Sequence, residues 1–203
     1  MKPSSAKAKG REAENGAVEF LAVDTGLFPL AERRRQAGAL DKGDISGTHP
    51  DLCWEVKSGN LDIPGWMGET ETERINSGAK HGFLVVKPAR MGWGKRESWW
   101  VFMPAETYAR LAMPGSWQPL VTMARPFAPA MWLKDYPVVQ YKAQKSKRCP
   151  TDQIVLTTLS ELCSLLFTAG YGRGLNGPAD QERIIESARL SGDEPGFAER
   201  VAT

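Results

Sequence analysis

Three residues in one short stretch have the types and spacing for phosphoryl chemistry: Asp44, then Glu55 and Lys57 within Trp54-Glu55-Val56-Lys57. If Leu52–Ser58 is a strand, alternation puts Cys53, Glu55 and Lys57 on one face and Leu52, Trp54 and Val56 on the other. The apolar set can then enter a core while the glutamate and lysine stand side by side facing a cleft. Gly47-Thr48-His49-Pro50-Asp51 has turn chemistry, so Asp44–Ser46 and Leu52–Ser58 read as a hairpin. A turn centred between His49 and Pro50 sets Asp44 opposite Glu55, with Cβ atoms roughly 4.5–5.5 Å apart. Two carboxylates at that separation repel unless a cation lies between them. Mg²⁺, which takes oxygen ligands at about 2.0–2.1 Å and keeps several waters, fits such a gap. A divalent ion there would polarise a phosphoryl oxygen and activate a water, and a second ion is compatible with the pattern. Lys57 would orient that water and stabilise the developing negative charge. Phosphodiester hydrolysis is the expected reaction.

Other chemistries find little support. The only histidines are His49 and His81, too few for a mechanism that runs on several imidazoles. Cys53, Cys149 and Cys163 are widely spaced with no Cys-x-x-Cys pair, which argues against a disulfide framework or a structural zinc site and favours a reduced, cytoplasmic chain. With 25% charged and 41% hydrophobic residues, the 203-residue chain reads as one globular domain, with room for an appendage. No apolar run approaches the ~20 residues of a membrane span, and Met1–Arg11 has no apolar segment of a secretory signal. Net charge is only +2, but basic clusters lie at Lys2–Arg11, Arg33–Arg35 and Lys142–Arg148. They suit phosphate contact or simply solvated faces.

The elements that must position the acids follow from periodicity. Ala13, Ala17, Phe20 and Leu21 form one stripe of a helix from Gly10 to about Asp24, stopped by Gly26. A short segment, Leu30–Arg35, precedes the hairpin. Gly65–Lys80 is expected to be helical and to end at Gly82, followed by a buried strand at Phe83–Val86 and another at Ser98–Met103. Pro104 opens a helix over Ala105–Ala112. Ile154–Leu156 reads as a strand, and Thr158-x-x-Glu161 is a capping box for a helix to about Phe167. The expected fold is α/β, a central mixed β-sheet flanked by helices. Its parts are a basic flexible arm (1–9), a core (10–112), an extension of that core (113–168) and a polar acidic tail (169–203), with a short helix over Gln181–Leu190.

Asp44 followed by Glu55-Val56-Lys57 resembles the signature of the PD-(D/E)XK nuclease superfamily, with Gly43 where the family has a proline. Lys9-Gly10-x-x-x-Glu14 on the first helix, then Glu32-Arg33, then the Gly-Asp pair, is similar to the archaeal-type Holliday junction resolvases and their phage relatives. The resemblance covers about residues 7–104. It implies a restriction-endonuclease-like core and Mg²⁺ (with Mn²⁺ as substitute) held by Asp44, Glu55 and Glu14. It makes Glu14, Asp44, Glu55 and Lys57 catalytic and gives Glu12 no part. Lys87 matches the lysine that ends the family's next strand. Lys9, Arg33, Arg34, Arg35 and Lys87 become candidates for DNA contact. The implied partners are branched or duplex DNA and a second copy of the chain, in a bacterial or phage-infected cell. A restriction-type or general repair nuclease, or an inactive DNA-binding module, remains open at this stage.

Several features carry a plainer reading beside a functional one. Trp66, Trp93, Trp99, Trp100, Trp117 and Trp132 suit core or dimer packing, or base stacking where exposed. Lys142, Lys145, Lys147 and Arg148 form a backbone-contact patch or a solvated loop. Gly172-x-Gly174-x-x-Gly177 follows an expected helix rather than a strand, so it reads as flexible chain and not as a dinucleotide fingerprint. Gly92-x-Gly94 reads as a turn, and Cys53 as packing.

Overall fold

A computed structural model describes residues 3–35, 40–112, 121–123, 129–142, 149 and 151–172. The chain runs α1 (Pro3–Glu19), β1 (Glu32–Arg33), β2 (Ile45–Ser46), β3 (Leu52–Ser58), α2 (Ile63–Ser77), β4 (His81–Lys87) and β5 (Trp100–Pro104). It continues through α3 (Ala105–Leu111), β6 (Val121–Met123), α4 (Pro129–Asp135), β7 (Val138–Lys142), β8 (Gln153–Thr158) and α5 (Leu159–Thr168). Six strands form one mixed sheet in the order β3-β4-β5-β8-β7-β6. β3 and β4 are parallel across the α2 crossover, as are β6 and β7, and the other neighbours are antiparallel.

Alternation along the strands builds two cores, one on each face of the sheet. Leu52, Trp54 and Val56 of β3, with Phe83, Val85, Val101, Met103 and Val155, pack against Ala13 and Ala17 of α1 and Leu159, Leu162 and Leu166 of α5. Leu84, Val86, Phe102, Ile154, Leu156 and Val139 point the other way, against Ile63 and Met67 of α2 and Trp132 of α4. The sheet is therefore flanked by helices on both sides, as the sequence predicts. Trp54 anchors the first core. Its ring lies 5.0 Å from that of Phe83, and its indole N–H donates to the Thr48 hydroxyl at 3.1 Å. A buried side chain of this size contributes about 1.5–3 kcal/mol or more through the water it sheds.

Local structure departs from expectation in four places. Residues 3–9, expected to be a flexible arm, are the first turns of α1. The helix over Gly65–Lys80 starts earlier, behind the Asp62 cap, and stops at Gly78, whose left-handed φ of 71° closes the last turn. Gly82 instead lies inside β4, where a Cβ would stand 3.2 Å from Thr70 of α2. Gly92 and Gly94 border and enter a 3₁₀ segment, Trp93–Ser98.

The largest departure is the hairpin. β2 pairs with β1, Arg33 facing Ile45, and not with β3. The extension after residue 112 supplies β7 and β8 to the main sheet, with β8 beside β5. Thr158 caps α5 as expected, its hydroxyl accepting from the Glu161 N–H at 3.2 Å. The expected helix over Gln181–Leu190, Trp117 and most of the Lys142–Arg148 cluster lie outside the described residues. No helix among the described residues is long and apolar enough to cross a membrane.

Candidate active site

β3 forms one margin of the main sheet, and Asp44 lies along that margin. Its N–H donates to the Trp54 carbonyl at 2.7 Å, and its Oδ2 accepts the Val56 N–H at 2.8 Å. Its own carbonyl accepts the Arg34 N–H at 2.7 Å. A side-chain oxygen thus takes the position that a neighbouring strand's carbonyl would take. This is why β2 forms no ladder with β3, and why Asp44 still arrives beside Glu55.

Alternation holds on β3. Cys53, Glu55 and Lys57 face α2, away from Trp54 and Val56. Glu55 is buried (3% exposed), and Lys57 folds onto it while also reaching Glu69 of α2 at 3.0 Å. Beside Glu55 stands Glu73 of α2, also buried, at 5% exposure. Glu14 of α1 completes the acidic group. It is near enough for its charge to act on Asp44, and Arg33 holds its carboxylate at 3.1 Å.

Burial, with the neighbouring carboxyls, holds protons on Asp44, Glu55 and Glu73. Asp44 is pushed up to about 8 by burial and then by the charge of Glu55, against the stabilising Val56 N–H. Glu55 is pushed up to about 8 by burial and by the hydrogen bond and charge of Glu73, with Lys57 opposing. Glu73 is pushed up to about 7, again chiefly by burial. Burial lowers Lys57, but the charges and hydrogen bonds of Glu55 and Glu69 outweigh it and keep the amine cationic.

These shifts fix the sign of a pH effect. Unfolded carboxyls ionise near 3.8 and 4.5, so between about pH 4 and pH 8 the folded chain binds more protons than the unfolded one. Stability then falls as pH rises through that window. In chelator, the melting temperature is expected to be several degrees lower at about pH 9 than at about pH 5. Each kcal/mol lost is worth roughly 2–4 °C in a chain of this size. A melting temperature that rises steadily over the same range would contradict the arrangement of the three acids.

A cleft of about 550 Å³ opens on the α2 side of β3, lined by Asp41, Lys57, Gly65, Gly68, Glu69, Thr72 and Glu73. Carboxylates against a cleft are the donors a hard divalent cation selects, so the residues suit Mg²⁺ in kind. As placed, no three His, Cys, Asp or Glu side chains among the described residues converge on a common ion position. Glu55 is turned to Lys57, and Glu14 to Arg33.

No family model, curated protein or solved structure matches the chain.

The remaining candidates divide. Lys9 and Arg35 are exposed, while Arg33 bonds Glu14. Lys87, at the end of β4, bonds Glu12 of α1 at 2.9 Å. Glu12 thus engages a lysine and Glu14 an arginine, and of the two the charge of Glu14 acts on Asp44. Trp99 and Trp132 are buried, and Trp66, Trp93 and Trp100 are partly so. Cys53 is buried packing, its thiol pushed up to about 12 by burial first. Sequence reasoning missed Glu73. Its signal is position: Ile63, Met67, Thr70 and Glu73 recur at helical spacing along the buried stripe of α2. An acid on such a stripe is out of place unless it has work to do.

Proposed function

We propose that the chain is a metal-dependent endonuclease that hydrolyses phosphodiester bonds in DNA, most specifically a Holliday junction resolvase. The observation that supports this best is that Asp44, tethered to β3 through the Val56 N–H, lies beside Glu55 and its partner Lys57, with the charge of Glu14 reaching Asp44. Asp44, Glu55 and Glu14 would hold Mg²⁺ or Mn²⁺. When bound, the ion supplies Lewis-acid activation of water and neutralises phosphate charge.

The chain's own residues do the rest. The Val56 N–H fixes the Asp44 carboxylate, and β3 fixes Glu55 and Lys57 on one face. The Lys57 ammonium orients the attacking water and stabilises charge on the phosphoryl oxygens. Lys9, Arg33, Arg34, Arg35 and Lys87 offer cationic contact to the DNA backbone, which positions the duplex without reading sequence. Two symmetric cuts in a junction call for two copies of the chain related by a two-fold axis.

The test is a substrate panel. The purified protein is incubated with a four-way junction, a flap, a linear duplex and single-stranded DNA, with Mg²⁺ and with chelator. Paired symmetric nicks on the junction, lost in chelator, are expected. Cutting at one short sequence in linear duplex would replace resolution by a restriction-type activity. Binding without cutting in Mg²⁺ and Mn²⁺ would leave a DNA-binding module.

A further inference from the structure

The chain has only two histidines, and both lie against one tyrosine. The His49 ring stands 4.9 Å from that of Tyr171 and the His81 ring 5.9 Å, each close to perpendicular. The three rings come from separate places: His49 from the turn between β2 and β3, His81 from the first position of β4, and Tyr171 from just past α5. Tyr171 is held on both sides in sequence. Its N–H donates to the Leu166 carbonyl at 2.9 Å. Gly172, at a left-handed φ of 68°, sits so near Leu27 that a Cβ would fall 2.6 Å from the Leu27 carbonyl oxygen. The end of α5 is thus fastened onto the turn that leads from β2 to β3.

His81 is where this stack is sensitive to acid. It is 6% exposed, and its Nδ1 is buried with no hydrogen-bond partner. An imidazolium carries a proton on both nitrogens, so its Nδ1–H would lack an acceptor. Burial disfavours the cation first, and the charges of Arg110 of α3, Lys80 and Arg74 of α2 add to it. Asp51 opposes them, but Lys80 Nζ already holds its carboxylate at 2.7 Å, and the Tyr171 hydroxyl faces it too. His49 is placed differently. Its Nδ1 accepts the Asp51 N–H at 3.1 Å, and a cation there would have the Asp51 carboxylate 3.8 Å away.

We propose that Tyr171 is a latch that closes the end of α5 onto the β2–β3 turn, and that a proton on His81 opens it. Closing removes water from His81 and supplies no acceptor, so the closed form binds the proton less well than the open one. By linkage, the proton favours the open form to the same extent. The closed form is therefore preferred above the free value of 6.5 and loses ground as pH falls through the depressed value of His81. Each unit of depression is about a tenfold change in the ratio of closed to open. Asp44, Glu55 and Glu73 act in the opposite sense, favouring the fold as pH falls, so a global melting curve does not report the latch. None of this depends on the nuclease reading.

The experiment is an NMR titration of the isotope-labelled whole chain, without DNA or metal, from about pH 8 to about pH 5, the range in which histidine changes charge. Two histidines give two sets of imidazole signals, assigned with His49→Gln. Wild type is expected to show a His81 midpoint below 6.5. Its cross-peaks between the Tyr171 ring and both imidazoles are expected to vanish as His81 protonates. Tyr171→Ala is expected to move the His81 midpoint up toward 6.5. His81→Phe keeps a ring but no proton, and is expected to retain the Tyr171–His49 cross-peaks to the acid end of the range. Cross-peaks that survive full protonation of His81 in wild type would overturn the latch, because the tyrosine would then tolerate the imidazolium. So would an unchanged His81 midpoint in Tyr171→Ala, or loss of the Tyr171–His49 contact in His81→Phe at the same pH as in wild type. Should His81→Phe fold poorly, the wild-type cross-peaks and the Tyr171→Ala midpoint still decide.

Discussion

Asp44→Asn is expected to abolish DNA cleavage, by at least about 10²–10³-fold, the scale on which removal of one preorganised electrostatic group acts, while DNA binding is spared. The fold should survive, because the substitution keeps an oxygen for the Val56 N–H and leaves the backbone bonds to Trp54 and Arg34 untouched. What disappears is the anionic charge that a metal ion needs. The burial that pushes Asp44 up to about 8 is a cost that asparagine does not carry in full, so the variant should be at least as stable as wild type near neutral pH. Cleavage assays on a labelled junction, gel-shift binding in Ca²⁺ and a denaturation curve separate the three effects. Normal cutting by Asp44→Asn would show that the chemistry lies elsewhere.

Gly43 carries the second large effect, and this one falls on the fold. Its φ is +92°, and a Cβ there would sit 2.8 Å from the Trp54 carbonyl oxygen and 3.0 Å from the Cys53 sulfur. Gly43→Ala therefore meets both backbone strain, of about 1–3 kcal/mol, and a contact that β3 must move to relieve. Gly43→Pro should be worse. Proline locks φ at about −65°, so the turn into Asp44 would have to be rebuilt. The expected order of chemical denaturation midpoints is wild type, then alanine, then proline, with the metal-dependent rise in melting temperature reduced in both variants. A proline variant as stable as wild type would mean that this turn is not what delivers Asp44 to β3.

Much of this was legible in the sequence. The period-2 pattern of β3 separates Trp54 and Val56 from Glu55 and Lys57 because one set must leave water and the other carries charge. The helical stripe of Ala13, Ala17, Phe20 and Leu21 sits against the sheet as expected, all four buried. Thr158 and Glu161 announce α5 because the cap is a local hydrogen bond.

What failed was what local pattern does not encode. β1 and β2 are two residues long each, too short for any periodicity, so their pairing follows from where Asp44 is tethered. Gly78 and Gly82 look alike in sequence. One closes a helix, and the other admits α2 close to β4. Glu73 is one of three nearby glutamates, with Glu69 and Glu71, and only its place on the buried stripe of Met67 sets it apart.

The outermost strand of a sheet is a template for strangers: its unpaired amides invite another chain to lie down beside it. β3 is such a strand, and Asp44 covers its middle by bonding on both sides of Glu55. The residue assigned to the reaction is thereby also a guard against polymerisation. Shortening it to alanine would bare the Val56 amide as well as disarm the site, and the damage would first be seen as turbidity in the tube.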